Sequence, residues 1–305
     1  MPILLPLLSA CCVPLSLETA DPVPEPAPVE IPEPPPPPEP EPVDLSVPDA
    51  IEALAERLIA IETEIRDPQT PLERLPDLGH AEQRILRRLG GDKVAADAVL
   101  GALPDPVSVN VKRLLDGTIS VAHTVPVPKT DLPAWKIVDP LPPDVLLGYY
   151  KAAEIAYGVP WTVLASINLN ETRMGQLRGL SPVGAQGPMQ FMPATWAKYG
   201  TGDPNNDRDA IMAAGHYISK MGWATDREKA IWHYNHSPAY VRAILLFSEA
   251  MREEPRMFYA LRGWKVYYRT VAGSIWLRTG YEQPDRIPIA EYCDEVGEPY
   301  CPAHP

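Results

Sequence analysis

From about residue 50 to residue 255 the apolar positions of the chain recur at steps of three and four, the period of a helix buried along one face. The stretch AIEALAERLIAIETEI sets Ile51, Leu54, Leu58, Ile61 and Ile65 on one stripe behind Pro48-Asp49, which predicts an amphipathic helix. Three short helices are expected next, in EQRILRRLGG (82–91), which glycine closes, in DKVAADAVLGAL and in PVSVNVKRLL. Beyond Pro140 the helical signals become dense. PPDVLLGYYKAAEIAYG begins on proline and ends on Gly158; PWTVLASINLNE begins at Pro160, a favoured first helical position; NDRDAIMAAGHYISKMG runs to Gly222. DREKAIWHYN and SPAYVRAILLFSEAM follow, the second capped by Ser237 with Pro238 inside it. The period changes to two only in WKVYYRTVAGSIWLRTGY (264–281), on both sides of Ala272-Gly273, and predicts a β-hairpin. The aromatic residues of this region, Trp264, Tyr267, Tyr268, Trp276 and Tyr281, are expected as a buried hairpin face, with sugar stacking as the alternative. The expected fold is mainly α.

The first 45 residues break this pattern. Sixteen of the 39 prolines lie among the first 50 residues, and the run PVPEPAPVEIPEPPPPPEPEPV (22–43) cannot build a core. Proline favours polyproline II, so at about 3.1 Å per residue this run spans on the order of 70 Å as a semi-rigid spacer. The spacer also changes the reading of the net charge of −13. Residues 1–44 hold eight carboxylates and no Lys or Arg, whereas residues 131–255 hold 11 basic and 13 acidic side chains, a net of −2. The body has no basic stripe, so nucleic acid is not expected as a partner.

Ahead of the spacer, MPILLPLLSACC is apolar but far too short to span a bilayer. Leu8-Ser9-Ala10-Cys11 resembles a bacterial lipobox, which implies lipidation of Cys11 and a body anchored at a membrane and held off it. The basic residue that such a leader carries before its apolar run would then lie upstream of Met1. Near the other end, Cys293 and Cys301 suit a disulfide in an oxidising compartment, or are two unrelated surface thiols.

Candidate chemistry gathers in the middle of the chain. In INLNETRMG (167–175) Glu171 ends a helix that reads as amphipathic, where the plain expectation is a solvated last-turn carboxylate. Small residues in GLSPVGAQGPM (179–189) let backbone approach backbone and leave a floor for a ligand, just before Gln190, Phe191 and Pro193. WHYNHS (232–237) sets Tyr234 and Asn235 at a helix end. Asp203, Asp207 and Asp209 lie together in GDPNNDRDA, where capping of the next helix is expected. They do not make a calcium loop: Pro204 and Arg208 are wrong for it, and the twelfth position is Ala214. His216, His233 and His236 are scattered over helices without carboxylate or thiolate partners, so neither metal nor cofactor is expected.

Taken together, Glu171 in ETRMG, Ser181 with GAQGPMQFMPATW, and YNHSPAYV make residues 133–252 resemble the catalytic domain of lytic transglycosylases, nearest to the secreted or lipid-anchored members of actinomycetes. The resemblance implies a lysozyme-like helical domain over 131–255. A signal or lipobox segment (1–20), a spacer (21–45) and a helical prologue (46–130) would precede it, and a β-hairpin extension with a C-terminal tail (256–305) would follow. It implies cleavage of peptidoglycan glycan strands outside the cytoplasm, with Glu171 as acid and base and with Ser181, Gln190, Tyr234 and Asn235 lining the site. Met174 departs from the family, where an aromatic residue is common, and still fills an apolar gap. A water-using muramidase and a non-catalytic glycan-binding lipoprotein are the alternatives. The first needs a second carboxylate across the bond, and none stands out.

Overall fold

A computed structural model describes residues 41–122 and 127–302. Cys11, the lipobox segment and the spacer as far as residue 40 lie outside the described residues.

Helices α1 (Ile51–Arg66), α2 (Leu75–Leu89), α3 (Lys93–Ala102) and α4 (Val107–Ala122) form the first layer. The stripe of α1 faces inward: Leu54, Leu58, Ile61 and Ile65 are buried, each contributing about 1.5–3 kcal/mol of transfer free energy, and Ile51 is half-buried. α2 starts seven residues before the periodicity expected, because Pro76 sits in the first turn, where its missing N–H costs nothing. α4 also runs well past PVSVNVKRLL. Gly117 on α4 is required by packing, since a Cβ there would stand 2.7 Å from the ring of Phe247.

After β1 (Asp131–Leu132) and β2 (Lys136–Ile137) come α5 (Pro143–Tyr157) and α6 (Trp161–Thr172). The chain continues through β3 (Leu177–Arg178), α7 (Pro193–Tyr199), α8 (Asp207–Lys220), α9 (Arg227–Trp232), α10 (Pro238–Glu253) and α11 (Met257–Arg262). α10 packs on both α4 and α6, α5 on α8, and α2 on α11, so the four N-terminal helices share one continuous core with the helices that follow. α6 is not the amphipathic helix expected from its sequence. Every residue from Thr162 to Leu169 is buried, because α5, α8, α10 and α11 surround it. The buried hydroxyls of its first turns are satisfied inside: Ser166 donates to the Thr162 carbonyl, and Thr162 bonds Ser248.

A second, smaller core joins the strands and the C-terminal segment. β4 (Val266–Thr270) and β5 (Gly273–Leu277) form the expected hairpin, with Tyr267 opposite Trp276. β6 (Ile287–Pro288) pairs antiparallel with β1, and β2 with β3. The β2–β3 pair ties the approach to α5 to the segment just after α6. α12 (Ile289–Val296) closes the described chain, and Cys293 is disulfide-bonded to Cys301. Among the described residues no helix is long and apolar enough to cross a membrane.

Candidate active site

α6 carries Glu171 in its last turn, and the manner of its termination sets the carboxyl in place. Arg173 and Met174 both adopt left-handed backbone, at φ 54° and 55°, a costly conformation for side chains with a Cβ. The turn is over-determined. The Arg173 and Met174 N–H groups donate to the Leu169 and Asn168 carbonyls, Met174 is fully buried, and the Thr172 hydroxyl donates to the Pro188 carbonyl at 2.6 Å. The glycine-rich loop is thereby fastened to the helix end. Gly187, at φ 74°, admits no other residue, since a Cβ would lie 1.8 Å from the Pro204 carbonyl oxygen.

Glu171 lies on the floor of a cleft of about 1110 Å³. Its Oε1 accepts a 2.7 Å hydrogen bond from the hydroxyl of Tyr240, a buried residue in the first turn of α10. That turn is fixed by Ser237, whose side chain accepts from the Tyr240 N–H as the sequence predicts. The carboxyl is pushed up to about 7, by burial above all, against the opposing pull of the Tyr240 hydrogen bond and the Arg173 charge. Glu171 keeps a partly exposed surface, yet protein surrounds it; a group at the bottom of a cleft can be reached by a ligand while it is shut off from bulk water. A carboxyl of this kind holds a proton near neutrality and can give it up.

Ser181 and Asn235 line the same cleft. The Ser181 hydroxyl accepts from the Val183 and Ala185 N–H groups, which bends the loop around it. Gln190 and Tyr234 do not line the cleft; they hold its walls. Gln190, itself left-handed at φ 49°, donates through its amide to the Gly179 and Gly187 carbonyls. Tyr234 donates to the Met189 carbonyl at 2.6 Å and stacks nearly parallel to Tyr240, with ring centroids 6.4 Å apart. The hydroxyl bonded to Glu171 is that of Tyr240, not of Tyr234.

The three aspartates are outside the cleft. Asp207 takes two bonds from Arg178, Asp203 and Asp209 brace their own loop, and the cap of α8 is Asn206, which accepts from the Asp209 N–H. The aromatic residues divide: Trp264 and Tyr281 are buried, Tyr267, Tyr268 and Trp276 are half-buried, and Trp264, Tyr267 and Tyr268 line the cleft. Three cleft residues escape sequence reasoning. Tyr240 lies within YNHSPAYV, five residues beyond Asn235, where a helix start hides it. Trp135, packed edge-on against Tyr268 at 5.3 Å, and Arg87 of α2 give no local signal at all.

Residues 161–229 match the family model of the transglycosylase SLT domain. The match begins at α6 and takes in Glu171, Ser181 and Gln190, and it ends before Tyr234, Asn235 and Tyr240. No curated protein and no solved structure matches the chain. The family match supports an enzyme of the lytic transglycosylase class with peptidoglycan as substrate, and the fold is mainly helical and lysozyme-like.

Proposed function

We propose that the protein is a peptidoglycan lytic transglycosylase that cleaves the β-1,4 bond between N-acetylmuramic acid and N-acetylglucosamine without water and leaves 1,6-anhydro ends. The observation that carries this reading is that Glu171, with a carboxyl pushed up to about 7, is the one carboxylate among the described residues lining the cleft. A glycosidase of the two-carboxylate kind needs a partner across the bond, and the nearby aspartates are occupied elsewhere. The acetamido oxygen of the muramic residue can take that partner's place. Protonated Glu171 gives its proton to the leaving glycosidic oxygen, and the acetamido oxygen closes on the anomeric carbon to form an oxazolinium ion. Glu171, now a carboxylate, takes the proton of the C6 hydroxyl, whose oxygen displaces the acetamido group and closes the anhydro ring. The Tyr240 hydroxyl stabilises the ionised state between the two steps, and Asn235 and Ser181 orient the sugar.

Digestion of purified peptidoglycan tests the assignment. The parent, Asp203→Asn, Asp207→Asn and Asp209→Asn should release soluble muropeptides, and Glu171→Gln should not. An aspartate variant as inactive as Glu171→Gln, with reducing sugar ends from the parent, would point to the muramidase instead.

The same reading puts the protein outside the cytoplasm, anchored through Cys11. The LSAC sequence and the spacer support it, and so does the Cys293–Cys301 disulfide. Cys11→Ala, expressed with an added upstream leader, should move the protein from the membrane fraction to the medium; unchanged partition would remove the anchor.

A further inference from the structure

The cleft differs in charge from the chain that forms it. The protein has a formal net charge of −13, yet the ionisable residues of opposite sign on the cleft walls are Arg87, Lys129, Arg173, Arg269 and Arg286 against Glu171 alone. Arg286 is paired with Asp131. Arg87 and Arg173 are held differently. Arg173 donates to the Leu169 carbonyl, and its Nε is buried without a partner. Arg87 donates to the Ser274 hydroxyl at 2.6 Å, and its guanidinium lies 4.1 Å from the centre of the Tyr267 ring. These partners are neutral, and among the described residues neither guanidinium is bridged to a carboxylate. Burial first and the Arg87 charge second push Arg173 down to about 10, against the opposing pull of Glu171, so the two cations feel each other across the cleft wall.

Two half-buried like charges, neither bridged to a carboxylate and with only the nearby Glu171 carboxyl to offset Arg173, are costly to keep. Their fixed geometry is maintained by strong local constraints: the left-handed turn at Arg173, and the clamp of Tyr267 and Ser274 on Arg87. An arginine fork is matched to a carboxylate, which it binds through two parallel N–H donors. Arg173 is two residues from Glu171, so an anion held there belongs to the sugar being cut or to what that sugar carries.

We propose that Arg87 and Arg173 form a carboxylate-binding subsite beside Glu171, so that the glycan is recognised by the carboxylates borne on its muramic residues. This rests on the transglycosylase reading for the identity of the glycan, and on the cleft alone for the anion. The carboxylate has two sources of the same chemistry, the lactyl group of a strand stripped of peptide and the free carboxyls of a peptide stem. α2 supplies Arg87 and the hairpin supplies its clamp, so the subsite is built largely by segments on either side of the family-matched residues 161–229. That gives the helical prologue a part in selecting substrate.

Titration calorimetry at low salt on the Glu171→Gln protein separates the cases, because that variant binds without cutting. The probes are peptide-free strands, the same strands methyl-esterified, and peptide-bearing strands with and without esterification. Carboxylate strands should bind at least about ten-fold more tightly than their esters. Arg87→Gln and Arg173→Gln should each remove most of that preference while esters bind as before, and Arg87→Lys should retain part of it. A preference confined to the peptide-bearing strands assigns the stem as the source; one already present in peptide-free strands assigns the lactyl group. Equal binding of acid and ester in both pairs would overturn the subsite, as would a preference that survives both substitutions. Unchanged circular dichroism excludes misfolding, and affinity for the esters reports an intact cleft. Cleavage by the parent is scored separately: a parent that binds carboxylates but never cuts leaves the subsite standing and removes the transglycosylase.

Discussion

Two glutamates shielded from bulk water occupy different halves of the molecule, Glu171 partly exposed in the cleft and Glu82 fully buried inside α2. Burial pushes both carboxyls up, to about 7 for Glu171 and well above the ordinary range for Glu82. Their neighbours differ. Glu171 has a tyrosine hydroxyl and an arginine at hand and opens on a cleft. Glu82 is fully buried beside Glu62, whose own oxygens already accept from Asn110 and Arg66, and neither oxygen of Glu82 receives a donor. Glu82 therefore keeps its proton, which it can donate to Glu62, and the nearby Glu62 charge raises it further. A raised carboxyl is thus not by itself a catalytic sign. What separates the two is an opening to substrate and a donor that stabilises the ionised form for the length of one step.

The largest effect expected from that comparison is on turnover. Glu171→Gln keeps the shape and removes the transferable proton, so kcat should fall by about 10²–10⁴-fold while glycan binding survives. In the parent, kcat/KM should decline as pH rises through about 7, where Glu171 loses its proton. Flat rates from about pH 6 to 8 would detach Glu171 from the acid role.

Tyr240→Phe sharpens the contrast from the other side. The Tyr240 hydroxyl favours the ionised carboxylate, so its removal should move the alkaline limb to higher pH and lower kcat less than Glu171→Gln does. A limb displaced to lower pH would contradict the hydrogen bond's role.

Stability gives the smallest effect and the most discriminating one. A carboxyl raised in the folded state binds protons more tightly there than in the unfolded chain, so it costs nothing below about pH 4.5 and destabilises increasingly as pH climbs towards its folded value. Both Glu82→Gln and Glu171→Gln should therefore melt higher than the parent at about pH 8, by a few degrees at about 2–4 °C per kcal/mol, and the gain should vanish near about pH 4. The amide that Glu82→Gln introduces can still donate to Glu62. Only the Glu171 variant should lose activity; an inactive Glu82→Gln would give the buried pair a function that the comparison denies it.

Much of this is legible in the sequence, unevenly. The stripe of α1, the cap at Ser237 and the hairpin about Ala272-Gly273 follow from local pattern and local chemistry, and the structure has them. α6 reads as amphipathic but is not, because a helix enclosed by four others needs no polar face, and its serine and threonines satisfy themselves internally. Of the site, Glu171, Ser181 and Asn235 stand in short motifs that sequence alone picks out. Tyr240 is hidden inside a helix start, and Arg87, 84 residues before Glu171, is brought to the cleft only by the packing of the N-terminal helices on the body. Contacts between distant segments leave no periodicity to read.

The central claim is that one carboxyl does the work of two, and the fate of water tests it most directly. Peptidoglycan digested in water enriched in heavy oxygen, with the products weighed by mass spectrometry, should yield muramic ends that carry no label and are one water lighter than hydrolytic ends. Labelled reducing ends, formed by the parent in proportion to the bonds it cuts, would contradict the account.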